Sequence, residues 1–162
     1  WPSRYAKSPA RERAGVLVRQ LKDSIMAVMP DSKVLIMGDM NDDPDNKSMK
    51  TCLGAVREKD EVKAASDLYN PWWNILRKRG HGTLKYKGKW NLFDQVVLSG
   101  NLLGSDRSTL KLYKTEIFSR DYMFQQEGRY KGNTKRTHAG GVWLNGYSDH
   151  LPVIVYLLKE AK

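Results

Sequence analysis

One cysteine, Cys52, stands in 162 residues. A lone thiol excludes an internal disulfide and any cysteine-based metal cluster. No apolar run approaches the length of a membrane-spanning helix. Internal repeats and low-complexity tracts are also lacking, which excludes a solenoid and a fibrous chain. Acidic residues are in the minority, 18 against 28 lysines and arginines, for a formal net charge of +10. An excess of that size steers a protein toward polyanions or anionic surfaces. With 40% hydrophobic residues the chain has enough material for one domain with a core.

The positive charge is clustered. Arg77, Lys78 and Arg79 are followed by Lys85, Lys87 and Lys89; Arg129, Lys131, Lys135 and Arg136 form a second group. Trp72, Trp73, Tyr86, Trp90, Tyr122 and Tyr130 lie among them. Interleaved cations and aromatics suit a phosphate backbone with stacked bases. The competing reading is a solvated basic surface with its aromatics turned inward, and it is favoured for most of these residues.

The chain is organised around Val34-Leu35-Ile36-Met37-Gly38-Asp39-Met40-Asn41-Asp42-Asp43-Pro44. The apolar run predicts a strand buried on both faces. Were Asp39 to Asn41 to stay extended, their side chains would fall on one side of the backbone. Upstream, Val16, Leu17, Leu21, Ile25 and Val28 recur at helical spacing, so residues 10–29 are read as a helix. That stripe is its packing face, with Arg11, Glu12, Arg19, Lys22 and Asp23 on the other. Downstream, a short helix is expected around Met49 to Leu53, and another across Asp67 to Arg79, limited by Pro71. Strands are expected at Thr83–Tyr86, turned by Lys87-Gly88-Lys89, then at Leu92–Ser99, at Leu110–Phe118 and at Leu151–Leu158, the last a buried one. Residues 120–141 read as a long polar loop, and a loop of that length is functional or disordered.

Polar residues border three of these strands: Asp39 with Asn41, Asp94, and Asp149 with His150. Carboxylates are hard oxygen ligands for Mg²⁺ or Ca²⁺. A histidine held by a carboxylate can stabilise or protonate a phosphoryl oxygen. This is an inventory for metal-assisted hydrolysis. His81 and His138 lie in no such context and are read as surface residues.

Gly38-Asp39-Met40-Asn41-Asp42, Phe93-Asp94-Gln95-Val96-Val97-Leu98-Ser99 and Ser148-Asp149-His150-Leu151-Pro152-Val153 together resemble three motifs of the endonuclease/exonuclease/phosphatase family. That family includes deoxyribonuclease I, exonuclease III-type repair nucleases, sphingomyelinases and inositol-polyphosphate phosphatases. The order and spacing match the family's later half. The resemblance implies one half of a deoxyribonuclease I-like four-layer α/β sandwich, built on a mostly antiparallel mixed sheet with flanking helices. It implies that residues 1–162 are the C-terminal part of a longer domain.

It also implies roles. Asp39 would orient or deprotonate the attacking water, and Asn41 would position the scissile phosphate. Asp149 would help hold Mg²⁺, with Mn²⁺ or Ca²⁺ as alternatives. His150 would stabilise the pentavalent phosphoryl centre, its ring held by Asp94. Trp1-Pro2-Ser3-Arg4 resembles a family segment in which Ser3 and Arg4 could contact a phosphate; a frayed terminus is an equal alternative. The implied function is metal-dependent hydrolysis of a phosphodiester or phosphomonoester, with nucleic acid as the favoured substrate. The alternative is a basic nucleic-acid-binding module that keeps the fold without the chemistry. The implied partners are a phosphate-containing substrate and the family's N-terminal half. That half's metal-holding glutamate has no counterpart here, so the chain alone is expected to be weak or inactive. Self-association is expected too, through the inner face of a lone sheet.

Overall fold

A computed structural model describes residues 8–161. Ser3 and Arg4 therefore lie outside the described residues. The first helix, α1 (Pro9–Val28), starts as its sequence dictates: Ser8 caps it through a hydrogen bond from the Arg11 N–H, and proline occupies the first turn. Strand β1 (Leu35–Asp39) follows, then a six-residue π-helical turn at Ser48–Leu53 and the two-residue strand β2 (Ala55–Val56). Next come β3 (Leu68–Tyr69), α2 (Trp72–Arg79), β4 (Leu84–Tyr86), β5 (Lys89–Asn91) and β6 (Asp94–Ser99). The chain closes with β7 (Lys111–Ile117), β8 (His138–Ala139), β9 (Val142–Trp143) and β10 (Val153–Leu158).

The central sheet runs β1-β6-β3-β2. Strands β1 and β6 are antiparallel, as are β6 and β3, while β2 and β3 are parallel. The result is a mixed, mostly antiparallel sheet in an α/β setting. Successive residues of β6 serve opposite faces, as the period of two requires. Val97 packs with Met49, Leu53, Ala55 and Leu68 under α1. Val96 packs with Trp72, Leu76 and Leu92, and Leu98 with Tyr69 and Leu102. Strands β7 and β10 pair with each other and lie over this second face, contributing Leu112, Val153, Val155 and Leu157. The expected bare inner face is therefore covered, and self-association through it loses its basis.

Four other expectations are corrected. The face of α1 that packs is the one carrying Arg11, Val18, Lys22 and Met26, whereas Val16, Leu17, Leu21, Ile25 and Val28 are exposed. Gly15 explains the choice: a Cβ there would lie 2.5 Å from the Ser48 carbonyl oxygen, so only this face permits such close approach. The buried cations are satisfied, Arg11 by Asp42 at 2.7 Å and Lys22 by the Ser66 carbonyl at 2.5 Å. Second, β1 is not buried on both faces; Met37 is 68% exposed, because the strand is the edge of its sheet. Third, Leu68 belongs to a strand paired with β6 rather than to the helix that follows Pro71. Fourth, β10 is half-buried rather than buried, since only one of its faces meets the central sheet.

Candidate active site

The antiparallel register of β1 and β6 sets Asp39 directly opposite Asp94, at the end of both strands. Phe93 accepts a hydrogen bond from the Met40 N–H at 2.8 Å, extending the ladder one step past Asp39. The chain then turns. Asn41 has φ of 50°, and its N–H donates to Asp39 Oδ1 at 2.9 Å. Asp39 and Asn41 thus do not continue as a strand, contrary to the extended geometry expected. A tight Asx turn keeps them adjacent instead, with Asn41 in the left-handed region that asparagine tolerates best among non-glycine residues.

His150 arrives from the other side. Its Nδ1 lies 2.7 Å from Asp94 Oδ2. A carboxylate accepts only, so Nδ1 carries the proton and Nε2 is left for other partners. The Asp94 hydrogen bond raises the His150 pKa above 6.5; burial opposes it, and the charges of Asp94, Asp39 and Asp149 add to the rise. Thr83, fully buried, holds the two segments together. Its hydroxyl accepts from the Asp94 N–H at 3.4 Å, its carbonyl accepts from Leu151, and Leu84 bridges to His150. Asp149 stands next to His150 and pairs with Arg136 at 2.9 Å, while its carbonyl accepts from the Thr134 hydroxyl.

Further residues within and beside the three motifs hold the site. Asp42, buried, receives Arg11, the Ser48 hydroxyl at 2.5 Å and the Asn46 amide at 2.7 Å. Gln95, fully buried, donates to the carbonyls of Asp42 and Leu92 and accepts from Asn70, whose own carbonyl oxygen accepts from the Trp72 N–H. Asp43 accepts from the Leu92 N–H at 2.8 Å; burial raises its pKa, opposed by that bond and by Arg77. Arg77 also forks onto Asp45 at 2.7 and 2.9 Å. The sequence signal for these roles was available: buried Asp, Gln and Asn need partners, and loop backbone must be satisfied somewhere.

Asp39, Asn41, Asp94, Asp149 and His150 thus converge at one edge of the sheet. The three motifs that supply them fall in one match. This chain belongs to the endonuclease/exonuclease/phosphatase family. The family model of that description covers residues 1–159. No curated protein and no solved structure matches the chain. Family membership assigns it a phosphoester hydrolase lineage, which suits an edge lined with carboxylates, an amide and an imidazole.

The donor set also limits which metal could be held. Among the described residues, no group of three or more His, Cys, Asp or Glu is arranged to hold an ion. Asp94 is committed to His150 and Asp149 to Arg136. Enzymes of the family commonly use a divalent metal, and Asp39 is the carboxylate of this set without a cationic partner among the described residues. His81 and His138 are exposed, as expected for surface residues.

Proposed function

We propose that this site hydrolyses phosphoesters, with water as nucleophile and a nucleic acid as the favoured substrate, and that it depends on Mg²⁺, with Mn²⁺ or Ca²⁺ as alternatives. The observation that carries the reading is the 2.7 Å His150–Asp94 contact at the strand end where Asp39 faces Asp94. Asp39, exposed and uncommitted to any cation among the described residues, orients the water and takes its proton. Asn41 offers its amide to the phosphate. His150, protonated and held by Asp94, donates from Nε2 to the oxygen on which negative charge develops. Asp149, with Asp39 nearby, is the residue to hold the metal; such an ion, when bound, neutralises phosphoryl charge and acidifies its water. Ser3 and Arg4 remain candidate phosphate contacts.

A second reading is a nucleic-acid-binding module without catalysis. It is favoured by the lack of a three-ligand metal group among the described residues and by the basic surface. The residues 1–162 are read as the C-terminal part of a larger domain, in which turnover would be fuller. The experiment is a hydrolysis panel of a small chromogenic phosphodiester, duplex and single-stranded DNA, sphingomyelin and a phosphoinositide, each with and without Mg²⁺. Turnover of any of them that requires both the metal and His150 supports the hydrolase. Binding with no turnover in any arm, by a chain that includes the whole domain, supports the module.

A further inference from the structure

The two basic clusters behave differently once folded. Around α2, Trp72 and Trp73 are buried, Arg77 is engaged by Asp43 and Asp45, and Lys78 by Glu58. Arg77 and Lys78 are thereby neutralised and both indoles belong to the core, while Arg79, Lys87 and Lys89 of the same cluster stay exposed. The segment 120–147 keeps its charge: Arg120, Arg129, Lys131, Lys135 and Arg136 against Asp121 and Glu127. Among the described residues, Lys131 and Lys135 make no ion pair.

Its aromatics also face outward. Trp143 is 60% exposed and Tyr147 69%, and neither joins a core cluster. Both are pre-set by edge-on neighbours. The Trp143 ring sits 4.7 Å from His138 across the β8–β9 pair, and Tyr147 sits 5.2 Å from Tyr122. The backbone under them leads straight to the site. Leu144 donates to Thr137, the Thr137 hydroxyl to Tyr147, and just before Thr137 stand Thr134 and Arg136, both bonded to Asp149. At strand rise, the two steps from Arg136 to His138 span at most about 7 Å.

We propose that residues 134–147 form a base-stacking platform that makes this site select single-stranded polynucleotide over duplex, an inference that rests on the phosphoester hydrolase reading. Cations alone would hold either form, since both present phosphates. Exposed aromatic faces discriminate. In a duplex the base faces are stacked on one another, whereas an unpaired strand offers them to a side chain. With Arg136 beside Asp149 and Trp143 at the hairpin, a strand whose phosphate reaches His150 lays its neighbouring bases on Trp143 and Tyr147.

The test is binding by the 162-residue chain, which needs no turnover: fluorescence anisotropy with a labelled single-stranded oligonucleotide and with the same sequence as duplex. Wild type binds the single strand more tightly. Trp143→Ala and Tyr147→Ala each weaken single-strand binding about tenfold, the scale of base–aromatic stacking. Tyr113→Ala, an exposed tyrosine on β7, leaves binding unchanged. Because Trp143 and Tyr147 are exposed, melting curves of both variants match wild type. Equal affinity for the two forms, unchanged single-strand affinity in Trp143→Ala, or binding to anionic phospholipid vesicles in place of oligonucleotide would each overturn the platform. Failure of the hydrolase reading shows separately, as no Mg²⁺-dependent turnover of the small diester by a chain that includes the whole domain.

Discussion

The site has two walls that are built in opposite ways. The wall at residues 38–46 is cross-linked from behind: Asp42 ties it to α1 and the π-helical turn, Asp43 and Asp45 tie it to the β5–β6 connection and α2, and Gln95 grips its backbone. The wall at residues 134–149 has its hydrogen bonds at the stem and its large side chains in solvent. The first fixes the backbone that carries Asp39 and Asn41, as the proposed chemistry requires. The second presents surface rather than geometry, as a binding loop does. Burial of polar side chains, costly unless fully partnered, is spent where positions must not drift.

The largest effect expected from breaking this contrast is on rate. His150→Ala lowers turnover of a phosphodiester by about 10²–10⁴-fold, the range of a single acid–base group. Second is stability of the rigid wall. Asp42→Ala strips the carboxylate from Arg11, Ser48 and Asn46 and costs about 3–5 kcal/mol, read by chemical denaturation, since it breaks a buried ion pair on one side only.

Third is pH. The raised pKa of His150 keeps its protonated form to higher pH, so activity that needs this proton declines only above 6.5. Asp94→Asn removes the largest cause of the rise, and the alkaline limb of the pH–rate profile moves to lower pH. The linked stability has the same sign: it is full below the unfolded pKa of 6.5 and lost as pH climbs through the folded value. The smallest effects belong to the open wall. Arg136→Ala breaks an ion pair whose partners are each 44% exposed, and changes stability by less than about 1 kcal/mol. Trp143→Ala stays within about 0.5 kcal/mol of wild type.

The same contrast explains what could be read beforehand. Val34–Met37, Val96–Leu98 and Val153–Leu158 are continuous apolar runs, and that continuity marks strands whose polar ends lie together. The face α1 would bury was not legible from its apolar stripe. Gly15 against Ser48, and Arg11 against Asp42, decide it across more than 30 residues of sequence, and no local pattern encodes such contacts. Strand β8 lies within the long polar loop expected over residues 120–141, because strands of two residues have no measurable period; Gly140 and Gly141, both at positive φ, are the local sign of its turn into β9. Strand β5 was missed for a like reason, its Lys89 having been assigned to the turn that Lys87 and Gly88 complete alone.

The central claim is that Asp39 and His150 act on one phosphoryl group. A double-mutant cycle in Mg²⁺-dependent phosphodiester turnover tests it. If the two act as a unit, Asp39→Ala and His150→Ala each cost nearly as much as the pair together, since residues of one catalytic constellation are strongly non-additive. Losses that multiply independently, or a wild-type chain whose turnover neither substitution changes, would contradict it.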